Sequence, residues 1–394
     1  MGDEAVTADG RSNSAARARD LNLLLLNLRM DAADENLGFT TAWARGLARR
    51  FNHVTVITMA LGEVELAPNL TVYSVGKERG FSEPRRLLEF YRLVRRALRE
   101  RPVDVCLAHQ QPKFAILFAP VAKSRRIPIL LSFGHGDVSR SLRVAHLLAD
   151  RCISSSAAGF RIPSDKLFIV GQGIDTNVFR PSEAPPPEPT TALSVGRINA
   201  VKRLDEMIEA VRLLRQSGRE VRLLIVGGPL TEADRRHLDV LRERVRQLRV
   251  DDLVSFEGPV PFAEVPAWYH RATIFLNLSE TRSLDKAYLE AMASGCVPIS
   301  RNESFQAIAR ERGFEWLVPE PGANGLAHTI GAVLELGNEA RSELLGRLRR
   351  TVEEDHDLDG LMDRITGHLV AIVDSRRATE DGKEDRRANP ASSS

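Results

Sequence analysis

Short, wholly apolar runs recur along this chain between longer amphipathic segments. That alternation limits the folds open to it more than any other feature. LNLLLLNL (21–28) precedes the amphipathic GFTTAWARGLARRF, and HVTVITM, LTVYSV, VDVCLAH, IPILLSF and LFIVGQG follow in turn. Each run is apolar throughout rather than at every second residue, as in strands buried on both faces. With helical spacing between them, the runs predict an α/β fold built on doubly wound parallel sheets. At 181–190 the sequence reads PSEAPPPEPT, and with five prolines in ten residues neither a helix nor a central strand continues. Past it the alternation restarts: ALSVG, a helix over 203–216, EVRLLIVGG, a helix over 232–249, LVSFEG, TIFLNLS, a helix over 285–294, and CVPIS.

The chain therefore divides into a leader over 1–19, a first domain over 20–182, a linker over 183–190 and a second domain over 191–354. A final helix over 355–375 carries Leu361, Ile365, Leu369 and Ile372 at helical spacing, and a tail over 376–394 ends the chain. Leader and tail are polar and poor in large apolar residues, which predicts disorder. Two tandem parallel-sheet domains can set the carboxyl ends of their strands facing across a cleft. Ligands of open α/β sheets bind at that edge, so a phosphorylated or nucleotide ligand is expected there.

Bulk composition excludes several alternatives. Lys+Arg total 55 against 53 Asp+Glu, and a net charge of +2 gives no bulk attraction to nucleic acid. Cys106, Cys152 and Cys296 are far apart, each within an apolar run, and read as buried thiols of a reducing compartment. No CxxC or Cys/His spacing points to zinc. No apolar run approaches the ~18 residues of a membrane-spanning helix, and the first twenty residues lack the apolar stretch of a signal peptide. A cytoplasmic location is expected.

Several motifs fail. Neither GxxxxGK(S/T) nor HExxH is present, and no GxSxG elbow points to a serine hydrolase. VGQGIDTNVF supplies Gly171 and Gly173, but Thr176 or Asn177 stands where a dinucleotide fingerprint has its third glycine. The Asp-x-Asp of DHDLD (355–359) reads as charge and capping at the entry of the last helix rather than as a metal site.

Others hold. In ALSVGRINAVKRLDEMIEAVRLL a strand ends at Gly196, and Arg197 and Lys202 follow in the loop before a helix. Two cations over a strand-to-helix turn suit a diphosphate; a solvated charged loop is the plainer reading. The succession GR…K, IVGG, VSFEGPV, LNLS and EAMASGCVPIS, over about 20–375, resembles retaining nucleotide-sugar glycosyltransferases of the GT-B fold, in the large group often called family 4. VGQGIDTNVFRP resembles that family's hinge-side signature, with Gln172 in place of its usual Asn.

The resemblance implies a GT-B architecture of two Rossmann-like domains and transfer of a sugar from a nucleoside diphosphate donor. It implies retention of configuration, no essential metal and no cofactor beyond the donor itself. Arg197 and Lys202 would hold the diphosphate, with backbone N–H groups of Leu284, Asp285 and Lys286 at a helix start. Glu290 would accept from the ribose hydroxyls. Gly258 and Val260 of EGPV would flank the base, and Gly38 would let backbone approach the phosphates. The family has two adjacent glycines there, where this chain has Leu37-Gly38. His135, between two glycines after a strand, would lie near the transferred sugar; a loop histidine without a role is the competing reading. His109 also ends a strand and matches less well.

SETRSLDKAYLEAMASG departs from the family. Laid over the usual pattern of two glutamates eight positions apart, it puts Glu290 on the second and Arg282 on the first, with Ser283 beside it at the donor sugar. Three readings stand open: Arg282 pairs with an anionic donor sugar, Glu280 takes over in a rearranged turn, or transfer is lost and nucleotide binding kept. The third makes the chain a catalytically silent nucleotide-sugar binder acting through partners, and a nucleotide-sugar epimerase is a further alternative. The acceptor class is open among saccharide, lipid-linked, natural-product and protein acceptors. Arg92, Arg95, Arg96 and Arg99 fall at helical spacing in 84–102. They suit peripheral contact with the inner face of an anionic membrane, or simply a solvated face over a core stripe.

Overall fold

The computed structural model describes residues 14–34, 37–184, 190–281 and 284–388, with side chains to 379. The chain forms two compact units, one running to Val170 and resuming at Asp359, the other spanning Gly171–Leu358.

The first unit contains β1 (Asn22–Met30), α1 (Phe39–Ala48), β2 (His53–Leu61), β3 (Leu70–Ser74), α2 (Glu83–Glu100), β4 (Val105–His109) and α3 (Pro112–Arg125). Then follow β5 (Ile129–Ser132), α4 (Arg140–Leu148), β6 (Arg151–Ser154) and β7 (Leu167–Ile169). All seven strands are parallel, in the order β3-β2-β1-β4-β5-β6-β7. The order reverses direction between β1 and β4, which is this sheet's switch point. The wholly apolar runs form the central strands: Leu23 to Leu26 of β1 and Val105 to Ala108 of β4 are buried. β6 has no counterpart in the sequence reading, because RCIS is only four residues long and opens on an arginine.

The second unit contains β8 (Thr191–Val195), α5 (Leu204–Gln216), β9 (Arg222–Val226), α6 (Glu232–Leu248), β10 (Val254–Gly258) and α7 (Val265–Tyr269). It continues through β11 (Ile274–Asn277), α8 (Lys286–Ala293), β12 (Val297–Ser300), α9 (Glu303–Arg312), α10 (Ala323–Leu334) and α11 (Asn338–Asp355). Its five parallel strands run β10-β9-β8-β11-β12, with the switch point between β8 and β11.

Three boundaries differ from the sequence reading. The division falls at Val170/Gly171 rather than at 182/183. The reason is that Ile174 and Phe179 are buried in the core of the second unit, and Ile174 bridges to Asp357. The final helix, α12 (Leu358–Ala388), belongs to the first unit and runs past 375, so part of the expected disordered tail is helical. Its Leu361, Met362, Ile365 and Leu369 are fully buried, and Arg50 holds Asp363 at 2.7 Å. Residues 376–388 contain strong helix formers and no proline, so nothing in them stops the helix. At the other end, 14–18 of the expected disordered leader are helical, with Ala18 buried. The rest of the leader, 185–189 of the linker and the last six residues of the tail lie outside the described residues.

Three glycines end adjacent strands of the second sheet at its carboxyl edge. Gly196, Gly227 and Gly258 have φ of 127°, 134° and 81°, a region side chains avoid. A Cβ on Gly227 would lie 2.0 Å from the Gly196 carbonyl oxygen, whereas one on Gly258 would meet nothing within 4 Å. Gly227→Ala is expected to destabilise the protein by about 2–4 kcal/mol and Gly258→Ala by about 1 kcal/mol. Denaturant unfolding of the two variants checks that order.

Candidate functional site

Residues of the second unit that stand outside β8 and β11 converge on its switch point. After β8 the chain turns at Gly196, and Ile198 N–H donates to the Gly228 carbonyl at 3.0 Å. Residues Ala200–Lys202 form one 3₁₀ turn capped by Asn199. Arg203 then adopts a left-handed conformation, φ 53°, so α5 starts one residue later than expected. The turn sends Lys202 back over the strand end. Its Nζ would lie 3.4 Å from a Cβ on Gly196, so a side chain there would crowd it.

Across the switch point, Lys202 pairs with Asp285 at 3.3 Å. Asp285 also accepts from Asn277 Nδ2 of β11 at 2.8 Å and, as N-cap of α8, from the Ala287 N–H at 3.1 Å. Burial pushes this carboxyl up, but Lys202, the cap amide and Asn277 together outweigh burial and hold it below the ordinary aspartate range. One carboxylate thus fastens β8, β11 and α8 together. Asn277 was missed in the sequence, although a polar residue inside the run IFLN signals it.

Glu290 lies one helical turn beyond Lys286 and is 5% exposed. Its Oε2 is 3.1 Å from the hydroxyl of Tyr269, which also lies 2.9 Å from the Ala287 carbonyl. Burial raises Glu290 to about 7, with Lys286 opposing, and burial lowers Lys286 to about 7, with Glu290 opposing. The end of α8 is clamped by Arg349 of α11, which donates to the Ala293 carbonyl at 2.6 Å.

The other expected residues are placed as follows. Arg197 is exposed beside the switch point, and its charge helps lower Asp234 in the capping box of α6. Among the described residues, no acceptor meets the N–H of Leu284 or Asp285. Gly258 closes β10 at the same edge, its carbonyl accepting from Gly227 N–H at 2.8 Å, and Val260 packs on the core below. Gln172 Nε2 reaches the Leu284 carbonyl at 3.5 Å. Arg282 and Ser283 lie outside the described residues. Their neighbours are held: Thr281 by Asn302, at 2.8 Å to its carbonyl, and Glu280 by an ion pair to Arg301 at 3.5 Å. The carboxylates of the DHDLD segment have separate partners, Arg312 for Asp355, Thr176 for Asp357 and Arg49 for Asp359.

A buried network supports this edge and was not legible in the sequence. Arg301, after β12, makes a two-armed bridge to Glu206 of α5 at 2.9 and 3.2 Å. Glu206 also accepts from Gly322 N–H at 3.2 Å and pairs with Arg203. Arg301 and Glu206 are 95 residues apart in sequence, at positions with no motif.

In the first unit, His135 is exposed in the loop between β5 and α4, edge-on to Phe133 with centroids 5.3 Å apart. Desolvation lowers its pKa and Asp137 opposes. The loop is pinned by Gly136 N–H on the Gly159 carbonyl at 2.8 Å. His109 is buried, 4.5 Å from Trp43 and 3.3 Å from Ser132 Oγ. Gly38 caps α1 with φ −53°, which any residue adopts, and its N–H is spent on the Asp34 carbonyl at 3.1 Å. The packing that gives Gly38 this role offers no N–H for a ligand.

The arrangement at the second switch point presents two cations and a helix start at the surface, with a carboxylate behind them. Asp285→Asn keeps the cap and removes the charge, so it is expected to cost about 1–2 kcal/mol at neutral pH. Because the folded-state pKa is depressed, that contribution is complete above the ordinary aspartate value of 3.8 and disappears as pH falls through the lower folded value. Unfolding free energies of wild type and variant should therefore converge in acid.

Comparison with known proteins gives this geometry its setting. Residues 189–336 match the family model of glycosyl transferases group 1, and 39–167 match that of a glycosyl transferase 4-like domain. WcaL of Escherichia coli K12, named for colanic acid biosynthesis, is 32% identical over 219 residues, covering 53% of this chain and 52% of that protein. The chain thus spans about half the length of the curated relatives it matches. Anabaena HepE, solved with UDP and glucose, superposes with a TM-score of 0.68 at 16% identity over 89% of this chain and 100% of that one. The sucrose-phosphate synthase of Thermosynechococcus elongatus gives 0.70 at 15% identity over 90% and 99%. The fold is GT-B, and with both of its domains matched the chain belongs to the group 1 glycosyltransferases.

Proposed function

We propose that this protein transfers a sugar from a nucleoside diphosphate donor to an acceptor hydroxyl, with retention of configuration and no essential metal. One observation carries the reading. At the switch point of the second sheet, cations, a helix start and a buried carboxylate follow one another in the order in which a donor presents diphosphate and ribose. Lys202 uses one of its three N–H donors on Asp285 and keeps the others for phosphate oxygens. Arg197 adds a two-armed contact from the exposed side. As the bond from the sugar to the diphosphate breaks, negative charge grows on the leaving phosphate, and these donors stabilise it. Glu290 accepts from the ribose hydroxyls. His135, on the first unit, positions the sugar or the acceptor. HepE was solved with UDP and with UDP-glucose, which makes uridine donors the first to try. The three buried free thiols fit a cytoplasmic setting.

The reading is tested by incubating the protein with a panel of neutral and acidic nucleotide sugars and with saccharide, lipid-linked, natural-product and protein acceptors. The expected product keeps the donor's anomeric configuration by proton NMR, at a rate unchanged by chelator. An inverted product or a chelated loss of rate contradicts the mechanism. Diphosphate binding with neither transfer nor donor hydrolysis assigns the chain to the silent binders.

Glu290 gives a prediction with a sign. A carboxyl raised to about 7 is an acceptor-only group above that pH and resembles an amide below it. Wild type should bind UDP roughly ten- to a hundredfold more tightly than Glu290→Gln in mild base. The gap should shrink as pH falls through about 7. Calorimetric titrations of both proteins at several pH values read it directly.

A further inference from the structure

A cavity of about 590 Å³ lies between the start of α5, the middle of α6 and the first residue of α10. That volume is in the range of small-molecule sites. From α6 it is lined by His237, Val240, Leu241 and Arg244. Their spacing is i, i+3, i+4 and i+7, so one stripe of the helix faces it. From the other side come Ala200, Arg203, Glu206 and Glu209, the last two one turn apart on α5. Arg197 and Lys202, the cations assigned to the donor, do not line it.

The charges around the cavity do not cancel. Glu206 is held by Arg301 at 2.9 and 3.2 Å and also by Arg203. Glu209 accepts from Arg212 at 2.7 Å and from Arg244 at 2.9 Å. Asp205 lies 3.9 Å from Arg203. Four guanidiniums therefore stand against three carboxylates. Glu206 and Glu209 are neighbours on one helix face, so the arginines of the cavity wall that they hold stand about one turn apart. Arg203 and Arg244 are both half-exposed, and a guanidinium has five N–H donors, more than one glutamate contact uses.

His237 adds a third group. Its Nε2 is buried and has no hydrogen-bond partner among the described residues. A buried polar atom left so costs free energy that a ligand would recover. Two guanidiniums and one imidazole N–H match the three terminal oxygens of a phosphate monoester, whereas a carboxylate has two. The remaining wall is apolar: Leu241 is buried, and Val240 is 65% exposed, with Ala200 and Ala323 completing it. An organic body on the phosphate would cover that surface.

We propose that this cavity is a second binding site, for a small phosphate monoester with an apolar body. Arg203, Arg244 and His237 hold the phosphate, and Val240 and Leu241 pack on the body. This goes beyond the transfer chemistry and does not depend on it. Arg203 directly follows Lys202, so the ligand would lie against the turn that carries Lys202 while leaving Lys202 itself to the donor.

The test is calorimetric titration of the full chain at about pH 8, where a phosphate monoester is doubly ionised. The probes are phenyl phosphate, inorganic phosphate, benzoate and benzyl alcohol. Phenyl phosphate is expected to bind about tenfold more tightly than the other three, and more weakly as salt rises. Lys202→Met should leave its affinity unchanged. His237→Phe and Arg244→Gln should each weaken it about tenfold, and Val240→Ser about fivefold. Unchanged melting temperatures show that the variants fold. Amide exchange of the wild type locates the site without any substitution, since phenyl phosphate should slow it in 200–209 and 236–245. No binding of phenyl phosphate, or equal binding of benzoate or benzyl alcohol, overturns the proposal. So does binding that Lys202→Met abolishes while His237→Phe and Arg244→Gln retain it, which assigns the phosphate to the donor side. None of these measurements reads transfer, so failure here leaves the transferase reading standing, and the reverse holds.

Discussion

The ion pair between Lys202 and Asp285 is the contact on which the site depends. It joins the loop after β8 to the start of α8, at the point where the strand order of the second sheet reverses. A parallel sheet always leaves a crevice there, because its two flanking crossovers depart in opposite directions. What this chain adds is a charged clasp, 3.3 Å long and half-buried, with Asn277 and the α8 cap as further holds on the same carboxylate. Arg349 fixes the far end of α8, and the Arg301–Glu206 bridge fixes the loops on the β12 side.

Glu290 and Lys286 show a different use of burial. One turn apart on α8, each is pushed by desolvation toward its neutral form, and each is partly restored by the other. A buried pair of this kind contributes little net stability. It does make the carboxylate responsive to whatever enters beside it, since a small change in solvation or charge decides its protonation. Tyr269, with one proton and two acceptors, links that carboxylate to the Ala287 carbonyl of α8.

Much of this was legible in the sequence because it is local. Wholly apolar runs mark central parallel strands, and the motifs fall along one sheet edge, where a ligand is expected. Lys202, Asp285 and Glu290 stand where strand-end and helix-start signals put them. The partners were not legible because they are distant. Arg301 meets Glu206, and Asn277 meets Asp285, through topology rather than spacing. The same holds for α12: its apolar stripe is plain in the sequence, but nothing local says that the stripe packs on the first unit. Gly38, expected to let a ligand approach the backbone, also serves as the cap of α1, with φ −53° and its N–H bonded to the Asp34 carbonyl.

The central claim is that Lys202 holds a diphosphate while Glu290 holds the nucleoside. Its most direct test is calorimetric titration of each common nucleoside and its diphosphate into wild type and Lys202→Met. The account predicts that one base is preferred, and that its diphosphate binds far more tightly than the bare nucleoside. The variant should lose roughly ten- to a hundredfold in diphosphate affinity and little in nucleoside affinity. Equal losses for nucleoside and diphosphate, or no loss for either, would contradict it.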